Sequence, residues 1–306
     1  MSTTETARRT STAPPTPGWT RDRVESRVFG VLRVLVIIAL LVITLFPFYY
    51  MALLSVRPLD RVLQDPGALW VGFSELDVGS YLSVLTPTGS GGQGFLQFMA
   101  NSALVAFGTV ALTLLIAIPG AYAVSRLEFF GRRQISVLFL AVYLFPAILL
   151  AVPLFVFFTR IGLRGSLVGL LIVYVSQVVA VSIYMLRNYF DTVPTSLEEA
   201  AAIDGCSRLG TLRRISLPLA MPAIMANALF IFMIAWNEFL FALLFLIENR
   251  NGWTVSLGLS QLAGSIEIPT TVLMAGSVIV TLPIIVIFFA SEKLLTEGLT
   301  AGAEKG

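Results

Sequence analysis

Long apolar runs separated by short polar segments dominate the pattern along the chain. A helix that crosses a membrane needs roughly 20 consecutive, mostly apolar residues. Six runs reach that length, at residues 34–55, 101–124, 134–158, 166–185, 223–247 and 272–290. We therefore predict an all-α polytopic membrane protein with six transmembrane helices. Pro146 and Pro153 are predicted to kink the third helix, because proline removes a helix hydrogen bond.

The composition supports a membrane protein and excludes several kinds of function. Only 12% of the 306 residues are charged, whereas a soluble domain has about a quarter. The single cysteine, Cys206, excludes an intrachain disulfide, and the lack of histidine excludes histidine-dependent catalysis and argues against a soft-ligand metal site. The net charge of +2 gives no support for nucleic-acid binding. We expect no catalytic residue and no metal in this chain.

The distribution of basic residues predicts the orientation in the membrane. Lysine and arginine accumulate in cytoplasmic loops, and 15 of the 20 lie in the N-terminal tail and its junction with the first run, after the second and fourth runs, or after the sixth. Both termini should therefore be cytoplasmic. Residues 1–29 are polar and rich in Ser, Thr and Pro, which predicts a disordered cytoplasmic tail and not a signal peptide. Residues 30–306 are expected to form one transmembrane domain.

The cytoplasmic loop after the fourth run reads LEEAAAIDGCSRLGTLRRISLPLAMP, residues 197–222. Ser196 with Glu199, or Thr195 with Glu198, matches the capping box that starts a helix. Gly205 suits the left-handed position that follows a helix end. The loop is therefore predicted to contain a short helix that is closed by a tight bend.

A second short helix should follow, capped by Ser207 and running until Pro218 approaches. In the first helix, four side chains are expected to share a face: Leu197, Ala200, Ala201 and Asp204. One interpretation is an amphipathic helix on lipid headgroups, with Arg213 and Arg214 meeting anionic lipid. The small, alanine-rich face instead favours a knob that fits a protein cleft.

Seven positions of this loop match the pattern E-A-A-x3-G-x9-I-x-L-P without a mismatch: Glu199, Ala200, Ala201, Gly205, Ile215, Leu217 and Pro218. The loop thus resembles the EAA loop of binding-protein-dependent ABC importer permeases. AWNEFLFALLFL at 235–246 and GLTAGAEKG at 298–306 resemble the carbohydrate-importing branch of the MalG type. The resemblance covers roughly residues 27–306.

The resemblance implies a coupling helix that sits in a cleft of a cytoplasmic ATPase. Glu199 would then pair with a basic residue of the ATPase, and Ala200 and Ala201 would form the close-packed surface, next to Asp204. Gly205 would be the bend. The last three motif residues would tie the loop to the base of the fifth helix: Ile215, Leu217 and Pro218.

The resemblance also implies partners: a second, MalF-like permease subunit, an ABC ATPase dimer, an extracytoplasmic sugar-binding protein, and a C-terminal tail that reaches the ATPase. ATP must be bound by the partner. A Walker A loop needs Gly-Lys-Ser/Thr, whereas Lys293 and Lys305 each follow a glutamate. The chain itself is therefore expected to bind no cofactor and to be no enzyme.

Glu238 is the only acidic residue in the six apolar runs. A charge near mid-bilayer costs roughly 2.5–3.5 kcal/mol on insertion scales, so it should face the bundle interior, a water-filled path or a partner. Glu238 is either a structural carboxyl or, with Trp236 and Asn237, part of a sugar pathway. Tyr174 and Gln177 share a face of the fourth helix and are either further pathway residues or interhelical contacts.

Two functions of other classes compete with the permease interpretation. A secondary transporter or channel would use Glu238 as an ion or proton site, and its transport would persist without ATP. A scaffold without a translocation path would leave Glu238 freely replaceable. The complete EAA spacing argues against both. For the sugar, the resemblance suggests a disaccharide, with trehalose, as in mycobacterial trehalose importers, as the first candidate.

Overall fold

The computed structural model describes the backbone of residues 21–303 and the side chains of residues 25–292, apart from that of residue 140. This described part consists of helices and contains no β-strand, which confirms the all-α prediction. In chain order the helices are α1 (Arg21–Ser55), α2 (Leu59–Gln64), α3 (Gly79–Leu85), α4 (Phe95–Arg126), α5 (Arg132–Leu144), α6 (Ala151–Arg160), α7 (Leu167–Phe190), α8 (Thr195–Ile203), α9 (Arg208–Thr211), α10 (Leu217–Leu219), α11 (Met221–Asn237), α12 (Leu240–Leu246), α13 (Val255–Ala263) and α14 (Thr270–Ala303).

Four helices are long and apolar enough to cross a membrane as single elements, namely α1, α4, α7 and α14. Two pairs of helices pass the same test together but are bent at a short break. The first pair joins α5 to residues 147–160 at 85°, and the second joins residues 208–219 to α11 at 76°. By length and composition, the described chain therefore has four helices that could cross a membrane, or up to six spans if each bent pair is one span.

The third predicted helix is broken at its first proline. Helix α5 ends at Leu144, and Pro146 precedes a 3-10 turn over Ala147–Leu150. Pro153 does not kink α6, because it lies in the first turn of that helix, where a backbone N–H has no intrahelical partner. The prediction of a kink is thus confirmed for Pro146 and wrong for Pro153.

The fifth predicted helix, 223–247, is also not continuous. Helix α11 ends at Asn237, Glu238 has an extended backbone with φ −65° and ψ 129°, and α12 begins at Leu240. No glycine or proline marks this break in the sequence. The carboxylate of Glu238 accepts hydrogen bonds from the first N–H groups of α12, and it thereby satisfies donors that the break exposes.

The ends of the chain differ in part from the prediction. Helix α1 starts at Arg21, so residues 21–29, predicted as tail, are helical. The last helix breakers before it are Pro17 and Gly18, and the residues that follow favour a helix. The remaining tail residues, 1–20, lie outside the described residues. Helix α14 runs to Ala303, and residues 304–306 of the predicted ATPase-reaching tail also lie outside them.

The chain divides into two compact units, residues 1–50 and 51–306. In the first unit, the described part of α1 exposes its apolar side chains. In the second, α4 packs along α7 and α11, and α11 packs along α14. Helices α4 and α7 pack closely at Gly108, where a Cβ atom would lie 2.6 Å from the end of the Leu171 side chain. A larger residue at 108 would force the Leu171 side chain to move.

Candidate functional site

Helix α8 begins directly after Pro194, and no side chain caps its N-terminus. Both predicted capping boxes are therefore wrong. Glu198, the acidic member of one box, accepts hydrogen bonds from Arg126 Nε at 3.0 Å and from Ser216 Oγ at 2.9 Å. A guanidinium is a stronger partner for a carboxylate than a backbone N–H, which explains why Glu198 turns away from the helix start.

The C-terminus of α8 is closed as the sequence predicts. Gly205 has a left-handed backbone with φ 83°. Its N–H donates to the carbonyl of Ala202 at 3.1 Å, and the Cys206 N–H donates to that of Ala201 at 2.9 Å, which is the Schellman arrangement. Ser207 Oγ then accepts from the backbone N–H three residues further on and starts α9. The bend and the second cap are confirmed.

Residues 208–219 continue through α9, a π-helical turn at Leu212–Ser216 and α10. Pro218 does not stop this segment. Proline cannot donate the usual helix hydrogen bond, and the wider π turn just before it accommodates the missing bond. The segment ends at Ala220, where the chain bends by 76° into α11.

The three motif residues nearest to α11 differ in burial. Leu217 packs against a buried cluster that includes Phe190, Leu212 and Ala220. Ile215 is half-buried, and Pro218 is exposed. Of these three residues, Leu217 therefore provides the clearest attachment to the base of α11.

The exposed face of α8 differs from the predicted one. Ala201 is only 5% exposed, and α8 packs on α9 and on the π turn of its own chain. The resemblance placed Ala201 beside Ala200 in the close-packed docking surface, but in the structure Ala201 lies on the inward side of α8, together with Glu198. The other predicted face residues are exposed, as is Glu199: Leu197, Ala200 and Asp204. Ile203, which the prediction missed, is 87% exposed.

The two adjacent glutamates of α8 thus point in different directions. Glu198 is ion-paired with Arg126, and the two side chains are 12% and 10% exposed. Glu199 is exposed and takes part in none of the ion pairs found among the described side chains. Glu199 is therefore available to a partner, whereas Glu198 is engaged within the chain.

Glu238 lies half-buried at the break between α11 and α12. Its Oε2 atom accepts from the Tyr174 hydroxyl at 2.5 Å. Backbone N–H groups of Phe241 and Ala242 donate to its carboxylate at 2.8 and 3.1 Å, and the Ser256 hydroxyl donates to its carbonyl at 2.6 Å. The side chain caps α12 and links it to α7, which matches the structural alternative for this residue.

Three other candidates for the sugar pathway have local partners. Trp236 is 2% exposed, and its Nε1 donates to the Val280 carbonyl of α14 at 3.1 Å. Asn237 is exposed and donates its side-chain amide to the carbonyl of Met233 in its own helix at 2.9 Å. Tyr174 is 1% exposed. These three residues are absent from the lining of the membrane cavity between α5, α7 and α11.

That cavity has a volume of 280 Å³. Its mostly apolar wall contains three polar side chains, those of Tyr143, Ser176 and Gln177. The Gln177 Nε2 atom is buried and has no hydrogen-bond partner among the described residues. A second cavity shares Tyr143 with the first and adds Tyr184. Of the five predicted pathway residues, Gln177 is the one in the cavity wall, and Tyr143 and Ser176 were missed because they carry no motif.

A comparison with protein families identifies the group to which the chain is related. The family of binding-protein-dependent transport system inner membrane components matches residues 113–300. This range is more than half of the chain and includes α7, α8 and α11. The chain belongs to this family.

Curated relatives extend the similarity of this permease to almost its full length. The trehalose/maltose transport system permease protein MalG of Thermococcus litoralis is 37% identical over 288 residues, which are 94% of this chain and 99% of that protein. The inner membrane ABC transporter permease protein YcjP of Escherichia coli is 36% identical over 266 residues, 87% of this chain and 93% of that protein. The trehalose transport system permease protein SugB of Mycobacterium tuberculosis is 34% identical over 217 residues, which are 70% of this chain and 79% of that protein.

A solved structure supports the same assignment. A chain of a bacterial ABC transporter involved in the import of the acidic polysaccharide alginate has a TM-score of 0.75 and 25% identity with this permease. The match covers 91% of this chain and 99% of that chain. The permease is thus a membrane component of an ABC importer and not an enzyme, because a separate subunit hydrolyses ATP. It works with a binding protein and an ATPase.

Proposed function

We propose that the permease couples ATP hydrolysis in a separate cytoplasmic subunit to the import of a sugar of disaccharide size, and that α8 is the docking helix. This proposal is based on the exposed face of α8. It offers Leu197 and Ile203 as apolar side chains, Ala200 as a small residue, and Glu199 as an exposed charge. Apolar side chains beside the two acidic residues Glu199 and Asp204 fit a protein cleft better than an anionic lipid surface, where basic side chains are expected.

A tryptophan scan of α8 tests the docking proposal. Ala200→Trp places a large ring on the proposed docking face, and Ala202→Trp is the matched control, because it lies on the other flank of the same helix. We expect Ala200→Trp to lower copurification of the ATPase and ATP-driven uptake more than Ala202→Trp does. On a lipid surface, tryptophan is favourable. Unchanged ATPase retention in Ala200→Trp contradicts the docking proposal.

For the substrate, the proposal relies on the membrane cavity and on the names of the relatives. Tyr143, Ser176 and Gln177 supply an aromatic ring, a hydroxyl and an amide in an otherwise apolar wall, and sugars bind through such rings and hydrogen bonds. Relatives are named for trehalose, maltose and diacetylchitobiose. Trehalose is therefore the first sugar to test.

The cognate binding protein should be titrated against a panel of mono- and disaccharides, and uptake of the preferred sugar should be measured in vesicles with and without internal ATP. Gln177→Leu is expected to raise KM for uptake and to leave sugar capture by the binding protein unchanged. Uptake that persists without ATP would favour a secondary transporter and sink the importer proposal.

We further propose that residues 30–306 form the transmembrane domain, that both termini are cytoplasmic, and that a second, different permease subunit completes the pathway beside an ATPase dimer. Single cysteines in a Cys206→Ser background test the orientation. Ser74 and Phe130 are exposed positions on opposite predicted sides. Phe130 is preferable to Arg132, whose guanidinium donates to two backbone carbonyls. Labelling of Phe130→Cys from outside intact cells contradicts the orientation.

A further inference from the structure

The carboxylate of Glu198 joins three parts of the chain that are distant in sequence. Arg126 Nε, at the C-terminus of α4, donates to its Oε1 atom at 3.0 Å. Ser216 Oγ, in the π turn before α11, donates to the same oxygen at 2.9 Å. The Tyr122 hydroxyl, one turn earlier on α4, donates to Oε2 at 3.3 Å. Helix α8, the end of α4 and the entry to α11 therefore meet at one side chain.

Arg126 is held on its other side as well. Its Nη2 atom donates to the carbonyl of Val193, between α7 and α8, at 2.7 Å. The Arg126 and Glu198 side chains are 10% and 12% exposed, and Ser216 is fully buried. Charges in such surroundings have lost most of their hydration, so separating them would leave two unpaired charges inside the protein.

Other ion pairs of the described chain lie in more exposed surroundings. The Arg61 and Glu75 side chains are 52% and 43% exposed, and those of Arg164 and Glu248 are 31% and 75% exposed. Exposed pairs separate easily, because water replaces the lost partner. The Arg126–Glu198 pair is therefore suited to hold two helices together while they move.

We propose that the Arg126–Glu198 pair is the joint through which a displacement of α8 reaches α4, and that Arg126 is a positioning residue for transport. This inference rests on the proposed docking of α8 to the ATPase. Helix α4 packs along α7 and α11, which both line the membrane cavity. A displacement that reaches α4 is thus passed to the cavity walls. Without the pair, less of the displacement of α8 reaches α4, and ATP hydrolysis drives less transport.

Glu198→Gln tests the joint, because it keeps the size of the side chain and removes its charge. The variant is examined in the complete importer, reconstituted with the ATPase and the binding protein. Three quantities are measured: ATPase copurification, ATP hydrolysis, and sugar taken up per ATP. We expect normal copurification and at least about a fivefold loss of sugar uptake per ATP, the low end of coupling between distant sites. The exposed Arg61–Glu75 pair serves as the control. The double variant Arg61→Gln with Glu75→Gln should leave ATPase copurification, ATP hydrolysis and sugar uptake per ATP unchanged.

The Glu198→Gln variant leaves the Arg126 charge unpaired and could therefore misfold. The double variant Arg126→Gln with Glu198→Gln avoids this problem, because it leaves no buried charge unpaired. It should accumulate normally and stay uncoupled. If either variant takes up as much sugar per ATP as the wild type, the proposal that this pair transmits the displacement is wrong. Loss of ATPase copurification in Glu198→Gln also overturns it, since the pair would then shape the docking face. The docking proposal itself is tested separately. If the Ala200→Trp variant still copurifies with the ATPase, α8 is not the docking helix.

Discussion

Glu198 and Glu238 are both withdrawn from solvent, but they are held by different kinds of partner. Glu198 pairs with the guanidinium of Arg126, which lies 72 positions earlier in the chain. Glu238 has no basic partner in the ion pairs of the described residues. The Tyr174 hydroxyl and two backbone N–H groups of α12 hold it instead.

The difference explains what each carboxylate can do. A buried pair of opposite charges resists separation, so Glu198 can keep α8 and α4 together during a movement. Two backbone N–H donors within four residues form a local cap, and the Tyr174 hydroxyl of α7 supports it, so Glu238 stabilises a break inside an apolar segment. The first carboxylate connects separate elements, whereas the second mainly fixes the shape of one. Arg126→Leu and Glu238→Gln test this contrast directly. Gly205→Val and Glu199→Gln test the surroundings of Glu198 on α8.

Arg126→Leu should have the largest effect on stability. It leaves the Glu198 carboxylate in a largely buried place without a cation, which typically costs about 3–5 kcal/mol. Thermal unfolding of the purified importer and the amount of permease in the membrane are the measurements. The control is Arg61→Leu at the exposed pair, where we expect a loss below about 1 kcal/mol. Equal losses in both variants would remove the contrast between the two kinds of pair.

The local features of the loop that contains α8 and α9 were predictable from sequence, because their signals lie within a few residues. Gly205 and Ser207 determine the end of α8 and the start of α9, and both match the structure. The choice between Glu198 and Glu199 was not predictable. Both are glutamates of the same helix, and only the position of Arg126, at the end of another helix, determines which one turns inward.

The membrane region shows the same limit. Hydropathy located the apolar segments, and Pro146 marked one break. The break at Glu238 has no glycine or proline signal, because a tertiary contact with Tyr174 and a side-chain cap stabilise it. Gln177 and Tyr143 come from different helices, so their meeting at one cavity could not be read from either segment.

Glu238→Gln should have an intermediate effect. The amide offers one acceptor oxygen in place of two, so at least one of the three donors loses its bond, at about 1–3 kcal/mol. Tyr174→Phe is the matched variant, because it removes one donor and keeps the carboxylate. We expect both variants to lower thermal stability while the remaining protein still imports sugar with ATP. A stable Glu238→Gln protein with no transport would instead indicate an ion or proton site.

Gly205→Val should cost at least about 1–2 kcal/mol locally, because a β-branched residue is disfavoured in the left-handed backbone. The strain falls on the bend behind the docking helix and not on the membrane helices. We therefore expect near-normal membrane levels and weaker ATPase retention. Gly205→Asn is the control, since asparagine tolerates this conformation, and it should keep most of the retention. Similar losses in both variants would show that the backbone conformation is not the cause.

Glu199→Gln should have the smallest effect on the permease itself, below about 0.5 kcal/mol, because its side chain is exposed. Its effect should appear at the ATPase, where an exposed charge pair contributes up to about 1 kcal/mol and is screened by salt. ATPase retention at rising ionic strength is the decisive measurement. The wild-type importer should lose ATPase as salt increases, and the variant should start lower and depend less on salt. A stability loss as large as that of Arg126→Leu would mean that Glu199, too, is engaged within the chain.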